Sequence, residues 1–329
     1  MPDLLFAIAR VGFLKTPEKL LLLDLIDTEA LFLSLTRADI EEIVQRRLRA
    51  ERFAPHELLA AARCDRNILT RKGIAYTFYR DSSYPPQLRE IFDPPFLLFY
   101  RGVLPDYERP LAGVVGTRSP TGKARKASFG LGFELGTEGI GVVSGLARGI
   151  DAAAHEGNIA GGGKTVAVLG CGIDFVYPSV NREIAVRILQ TGGAIVGEYP
   201  PGAAALRYHF PERNRILSGL SRGVVVVEAP EHSGALITAD YALEQGRDLY
   251  VHAEGFEGAA GEGTRRLAAE GAPTIACAAD VLADWGIERQ CGMRKVSRPE
   301  ENAVSMAQML TDELAGRLVR HQGDYFRRI

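Results

Sequence analysis

The sequence predicts an α/β protein built on a Rossmann-like, doubly wound, mostly parallel sheet, with a small helical domain before it and a short helical segment after it. Three observations carry that prediction. Apolar runs of strand length stop at glycine-containing turns, as in Leu111-Ala-Gly-Val-Val-Gly-Thr-Arg118, Val142-Val-Ser-Gly-Leu-Ala-Arg-Gly-Ile-Asp151 and Lys164-Thr-Val-Ala-Val-Leu-Gly-Cys-Gly172. A helix-like pattern follows each turn. The runs are apolar throughout instead of alternating, which marks strands buried on both faces by crossover helices.

Taken in order, residues 1–70 read as a helical domain with its own core. Leu20–Ile26, Leu31–Leu35, Ile40–Leu48 and His56–Cys64 carry apolar residues at helical spacing, with Thr16, Thr28 and Thr36 as candidate N-caps. Residues 71–110 read as a connector. It holds a strand near Ile74–Phe78, turns at Asp81–Pro86 and Asp93–Pro95, and a strand near Phe96–Arg101. Residues 111–288 form the Rossmann-like domain. Its strands are expected near Leu111–Gly116, Ile140–Ser144, Thr165–Leu169, Ala194–Gly197, Gly223–Glu228 and Leu249–His252. Its helices are expected near Thr121–Thr137, Ile150–Ala160, Asn181–Gln190, Asn214–Leu220, Ala235–Glu244 and Thr264–Glu270. Residues 289–329 are a polar linker and a helix over Ala303–Val319.

Composition narrows the function. The 329 residues carry 39 Lys+Arg against 41 Asp+Glu, a net charge of -2, so a nucleic-acid contact must be a local patch. Cys64, Cys171, Cys277 and Cys291 form no Cys-x-x-Cys pair and read as reduced thiols of a cytoplasmic protein, with no metal site. No apolar run approaches the roughly 20 residues of a membrane span, and no signal peptide is expected.

In a parallel sheet the ligand lies outside the carboxyl ends of the strands. Here those turns hold Gly116, Thr117, Arg118 and Ser119, then Ser144, Gly145, Arg148 and Gly149, then Gly170, Cys171 and Gly172. Each offers backbone N–H groups at a helix start, where anions are favoured. No P-loop and no complete G-x-G-x-x-G is present. Catalytic candidates are weak. Asp151 and His155 share a helix face beside Glu156, Cys171 follows a strand without an evident base, and Glu228 ends a strand before Ser233-Gly-Ala. Each also has a structural reading as a cap, a packed ring or a turn residue, which is preferred for Asp151, His155 and Cys171, and no catalytic residue, cofactor or metal is assigned.

The cations point elsewhere. Arg118, Arg148, Lys164, Arg182, Arg207 and Arg213 fall in or near these turns, and Tyr208, His209 and Phe210 interleave with them. Rings beside guanidinium groups suit single-stranded nucleic acid, since rings stack on bases while cations neutralise phosphates.

At these residues the chain resembles the DNA-processing protein A (DprA/Smf) family. The resemblance covers about 75–285 and rests on Gly116-Thr-Arg118, Ser144-Gly-Leu-Ala-Arg-Gly-Ile-Asp-Ala-Ala-Ala-His155, Gly163–Gly172, Tyr177-Pro178, Glu198-Tyr-Pro-Pro-Gly202, Phe210-Pro-x-Arg-Asn-Arg-Ile216 and Ser233-Gly-x-Leu-Ile-Thr238. It implies a non-catalytic protein that binds single-stranded DNA, and double-stranded DNA more weakly, protects incoming DNA in natural transformation and helps load RecA. It implies DNA contacts at Gly116, Thr117 and Arg118, and at a loop holding Arg207, Phe210, Arg213 and Asn214. It also implies a homodimer formed through the Rossmann-like domain near Thr264–Glu270, a sterile-alpha-motif-like or helix-hairpin-helix-like start, and a winged helix that the short C-terminal segment could hold only in truncated form. Two other readings remain. One is a nucleotide hydrolase of the phosphoribohydrolase-like Rossmann class, whose Pro-Gly-Gly-x-Gly-Thr signature is replaced here by Glu228-Ala-Pro-Glu-His-Ser-Gly-Ala235. The other is a scaffold acting through the two ends of the chain.

Overall fold

The computed structural model describes residues 2–49, 52–288, 294–296, 311–313, 318–321 and 324–327. Five helices open the chain: α1 (Pro2–Ala9), α2 (Thr16–Leu25), α3 (Glu29–Ser34), α4 (Arg37–Val44) and α5 (Pro55–Lys72). Thr28 and Thr36 accept from backbone N–H groups at the starts of α3 and α4, and Asp39 completes a capping box on α4. Thr16 departs from expectation. Lys15 holds the cap position, and the Thr16 hydroxyl donates to the Pro94 carbonyl at 2.6 Å.

That bond is part of a wider difference. The helices do not keep a core to themselves: Phe6, Ile8, Leu22, Phe32 and Leu69 belong to one buried cluster with Phe96, Leu97, Phe99 and Ile184. The Phe6 ring meets Tyr76 at 4.8 Å and Phe99 at 6.0 Å. Short helices over some 70 residues bury too little apolar surface alone, and the neighbouring sheet supplies the rest.

The expected connector is part of the sheet. It contributes β1 (Ala75–Phe78), the single turn α6 (Pro86–Arg89) and β2 (Leu97–Gly102). After it, strands and helices alternate: β3 (Leu111–Val115), α7 (Gly122–Thr137), β4 (Gly141–Ser144), α8 (Ile150–Ala160), β5 (Val166–Val168), α9 (Arg182–Gln190) and β6 (Ala194–Gly197). Then come α10 (His209–Leu220), β7 (Gly223–Val226), α11 (Gly234–Glu244), β8 (Asp248–His252), α12 (Glu262–Ala269), β9 (Thr274–Ile275) and α13 (Ala278–Asp284). The sheet has nine strands in the order β1-β2-β6-β5-β4-β3-β7-β8-β9. Pairing is parallel from β6 to β9, and antiparallel at β1–β2 and β2–β6. Chain order runs outward from β3 in both directions, so the sheet is doubly wound.

Residue alternation along the strands divides the core. Ala112, Val114 and Val142 face Leu131, Leu135, Ala154 and Trp285, whereas Leu111, Val143, Val224 and Val226 face Ile216, Leu217 and Ala239. On the first face α7 and α8 touch backbone to backbone. A Cβ on Gly132 would strike the Ala154 carbonyl, and one on Gly157 the Phe129 carbonyl.

The C-terminal segment departs from the helical expectation. Most of Ala303–Val319 lies outside the described residues. Residues 311–313 are helical, but Leu318 and Val319 are strand. There β10 (Arg294–Val296), β11 (Leu318–His321) and β12 (Asp324–Arg327) form an antiparallel sheet in the order β10-β12-β11, backbone pairing with β12 having overridden the local apolar periodicity. The His321 ring stacks on Phe129 of α7 at 3.6 Å. Among the described residues no helix is long and apolar enough to cross a membrane.

Between the opening helices and the sheet lies a cavity of about 450 Å³ whose lining includes Lys19, Asp93, Pro95, Glu198 and Arg215. Lys19 Nζ donates to the Ala9 carbonyl at 2.9 Å, and burial pushes its pKa down to about 8 from 10.5. As pH falls through the window between those values, the unfolded chain takes up a proton that the folded chain refuses. Stability should therefore rise as pH goes from 8 to 10.5. Urea titrations of Lys19→Met should show that rise flattened; an equally steep rise would place its source elsewhere.

Candidate nucleic-acid interface

Strands β5, β4 and β3 lie side by side, so the three turns after them share one rim. The first turn is pinned by Glu228, just beyond β7. The Glu228 carbonyl accepts from Thr117 N at 2.7 Å, and its carboxylate accepts from Thr121 N and Oγ1, both at 2.8 Å. Glu228 is fully buried, so this candidate acid is a clasp. Arg118 is thereby carried outward on a turn fixed at both ends. The second turn packs against the first: Ile150 N donates to the Thr117 carbonyl at 3.2 Å. Gly149 is required there, since its φ is +81° and a Cβ would stand 2.5 Å from that carbonyl.

Beneath the rim sits Arg213, 4% exposed. Its Nη1 donates to the Gly145 carbonyl at 3.0 Å and to the Val168 carbonyl. Asp151 accepts from Gly145 N at 3.0 Å and Ala147 N at 3.3 Å. The Gly145 peptide is thus held from both ends, and a Cβ on it would meet Arg213 Nη2 at 2.5 Å and Asp151 Oδ2 at 2.7 Å. Burial pushes the Asp151 carboxyl up, opposed by the Arg213 charge, and burial pushes Arg213 down to about 10.

Above this floor opens a pocket of about 320 Å³, with Arg118, Arg148, Gly145, Tyr177, Phe210 and Arg213 among its walls. The Arg118 guanidinium lies 5.6 Å from the centre of the Phe210 ring, and the Tyr177 ring lies 5.6 Å from it at 41°. Among the described residues Arg118, Arg148, Arg182 and Arg207 form no ion pair, whereas Arg46, Arg63, Arg80 and Arg215 are each held by a carboxylate. The exposed rim cations are therefore available to an outside anion.

The structure gathers some of the expected residues and separates others. Arg118 and Phe210 meet; Gly116, Thr117 and Gly145 shape the rim; Arg148 reaches the pocket. Arg182 opens α9 beside that turn, because Asn181 donates to the Leu146 and Ala147 carbonyls. Arg207 is exposed three residues before Phe210. Ser144 is not available: it is fully buried and donates to the Val114 carbonyl at 2.6 Å. Lys164 stands at the amino ends of the strands, where a Cβ on Gly141 would strike its carbonyl and one on Gly192 would lie 3.8 Å from its Cε. A lysine before a strand cannot reach the rim beyond that strand's far end. Phe210, Arg213 and Asn214 are not in a loop: α10 starts at His209, because Pro211 falls in the first turn, where no intrahelical N–H is needed. Arg213 is a buried support, and the Asn214 amide donates to the Gly234 carbonyl at 3.3 Å.

The members of the weighed acid–base pair are each engaged elsewhere. His155 is fully buried, and its Nδ1 contacts Thr165 Oγ1 at 2.7 Å. Thr165 gives its own proton to the Val142 carbonyl, so the ring nitrogen donates there, and Nε2 has no partner among the described residues. Burial pushes the Cys171 thiol up to about 11, away from thiolate chemistry.

A profile of the family described as DNA recombination-mediator protein A matches residues 75–286, well over half of the chain. The chain belongs to that family. It is 42% identical over 205 residues to the DNA processing protein DprA of Streptococcus pneumoniae, covering 62% of this chain and 72% of that protein. It is 34% identical over 279 residues to Protein Smf of Borreliella burgdorferi, covering 85% and 87%. The matches span only 52% and 53% of the Smf proteins of Synechocystis sp. and Escherichia coli. The X-ray structure of DprA from S. pneumoniae superposes with a TM-score of 0.69 and 32% identity, over 86% of this chain and 98% of that one. DprA from Helicobacter pylori, described for its single-stranded DNA binding mode, superposes with a TM-score of 0.57 and 28% identity over 65% and 97%.

Within the family frame, the residue missed by sequence reasoning is Tyr177. It belongs to the Tyr-Pro motif quoted above, but nothing in its spacing places it against Phe210. Two outcomes check the supports. Arg213→Ala should lose about 3–5 kcal/mol of stability in urea titration, because Asp151 is left buried without its counter-charge; an unmoved midpoint would refute that role. Burial pushes the His155 pKa from 6.5 down to about 3, so stability should fall as pH drops through that window, where only the unfolded imidazole gains a proton. His155→Phe should flatten this acid limb, and an unchanged limb would assign it to carboxylates.

Proposed function

We propose that this chain binds single-stranded DNA along the rim formed by the turns after β3, β4 and β5, protects incoming strands during natural transformation and helps load RecA. The observation that carries the reading is the Arg118 guanidinium over Phe210 at the mouth of a pocket that Arg148 also lines. Cations without internal partners attract phosphates, and adjacent rings offer faces to unpaired bases. Membership in a recombination-mediator family and likeness to a DprA described for its single-stranded DNA binding mode support the same ligand. The RecA and transformation roles, a cytoplasmic setting and a homodimer through the region of α12 follow from the family resemblance and are part of this proposal. So are a non-catalytic role, in keeping with the structural contacts that hold Asp151 and His155, and a boundary at about residue 288.

Oligothymidylate titrations over a salt series test the reading. Arg118→Ala should weaken binding for every sequence tried and flatten the slope of log affinity against log salt by about 0.7, the value for one phosphate on a single strand. If Arg118→Ala and Arg148→Ala together left affinity and slope unchanged, the rim would not be the binding surface. Release of free base from nucleoside monophosphates would favour the hydrolase alternative.

A further inference from the structure

We propose that Tyr177, and not Phe210, presents the ring on which a base of the bound strand stacks, with Phe210 as a positioning residue behind it. This rests on the rim reading above and adds the identity of its base-contacting ring. The sides of Phe210 are largely taken. The Arg118 guanidinium lies over it at 5.6 Å and Tyr177 leans on it at 5.6 Å. Gly170 approaches so closely that an added Cβ would stand 2.9 Å from Phe210 Cδ1. Phe210 reaches the pocket only as a half-buried ring set between these neighbours, whereas Tyr177 is the more exposed of the two. What Phe210 does well is hold both the cation and the second ring at fixed positions.

Tyr177 has the opposite character. It is 45% exposed and lines the same pocket as Arg118 and Arg148. Among the described residues its one ring contact is with Phe210, so part of the ring remains exposed apolar surface, and a nucleobase is a flat surface of matching size. The segment that carries it is already fixed. Gly172 N donates to the Ala203 carbonyl at 2.8 Å. Gly202 N donates to Asp174 at 2.8 Å, and Lys72 pairs with the same carboxylate at 3.0 Å. A tyrosine on a held segment has only two side-chain torsions to order, so stacking on it costs little entropy. Arg118 and Arg148 around the same opening would take the phosphates next to that base. The plain alternative, that Tyr177 merely covers Phe210, leaves its exposed face without a purpose.

Photo-crosslinking with an oligothymidylate carrying 5-iodouracil, mapped by peptide mass spectrometry, tests this directly, because such bases couple to the ring they stack on. The adduct is expected on Tyr177. An adduct on Phe210 with none on Tyr177 would overturn the inference and leave the rim standing. In titrations, Tyr177→Ala should weaken binding about 5- to 150-fold, the loss of one stacked base. Its salt slope should stay that of the unaltered chain, since no phosphate contact is removed. Tyr177→Phe keeps the ring and should restore the lost affinity. Binding by Tyr177→Ala as tight as that of the unaltered chain would overturn the assignment. Failure of the unaltered chain to bind the strand at all would overturn the rim itself.

Discussion

The rim depends on one buried contact, the guanidinium of Arg213 among the carbonyls at the ends of β4 and β5. Its bonds to Gly145 and Val168 tie two strand ends together where the parallel ladder stops. Backbone groups at such ends have no ladder partner, and leaving them buried and unpaired would cost about 1–3 kcal/mol each. The charge is tolerated because Asp151, at the start of α8, lies close by and accepts from the same turn. A lysine could not take this place, since it lacks the planar fork that reaches two acceptors. The first arginine of the Arg213-Asn-Arg-Ile216 string, expected from sequence to be an outward contact, is therefore a buried support that makes the rim rigid.

The same logic explains why the surface needs so few exposed residues. Glu228 fixes the Arg118 turn, Gly149 lets the second turn press against it, and Asp174 holds the segment bearing Tyr177. With the scaffold settled, the outer layer is a handful of cations and rings. A net charge of -2 is no obstacle, because screening over about 8 Å at physiological salt makes the local charge count more than the total.

The fold was legible because its signals are local and redundant. Every expected strand from Leu111 to His252 is present within a residue or two, since each is an apolar run closed by glycine or a polar turn. What was not legible depends on contacts distant in sequence. Nothing near Thr16 announces Pro94, and nothing in the opening helices announces that Phe6 will pack on Phe99. The site divides similarly. Arg118 could be picked out because a long cation in a tight turn has no apolar reason to be there. Lys164 shares its charge but precedes its strand and so emerges at the wrong edge, and Ser144 closes its strand with the hydroxyl turned inward to the Val114 carbonyl. Helix α10 starts at His209 and not at the expected Asn214, since Pro211 is tolerated in a first turn.

Helix α10 joins these two kinds of information. One side of its first turns carries Phe210 and Arg213 toward the rim. Another carries Glu212 and Arg215 toward the cavity under the opening helices. On that side Tyr199 stacks on His209 at 3.9 Å and donates to Glu212 at 3.0 Å, and Arg215 grips Glu198 through two contacts of 2.6 Å. Arg215 also donates to the Asp93 carbonyl at 2.9 Å, in the segment whose Pro94 carbonyl receives the Thr16 hydroxyl. The helical region is thus linked to the helix that carries Phe210 by a continuous run of hydrogen bonds and packed rings. Its contribution to the rim is mechanical: it braces from behind the helix that carries Phe210 and Arg213.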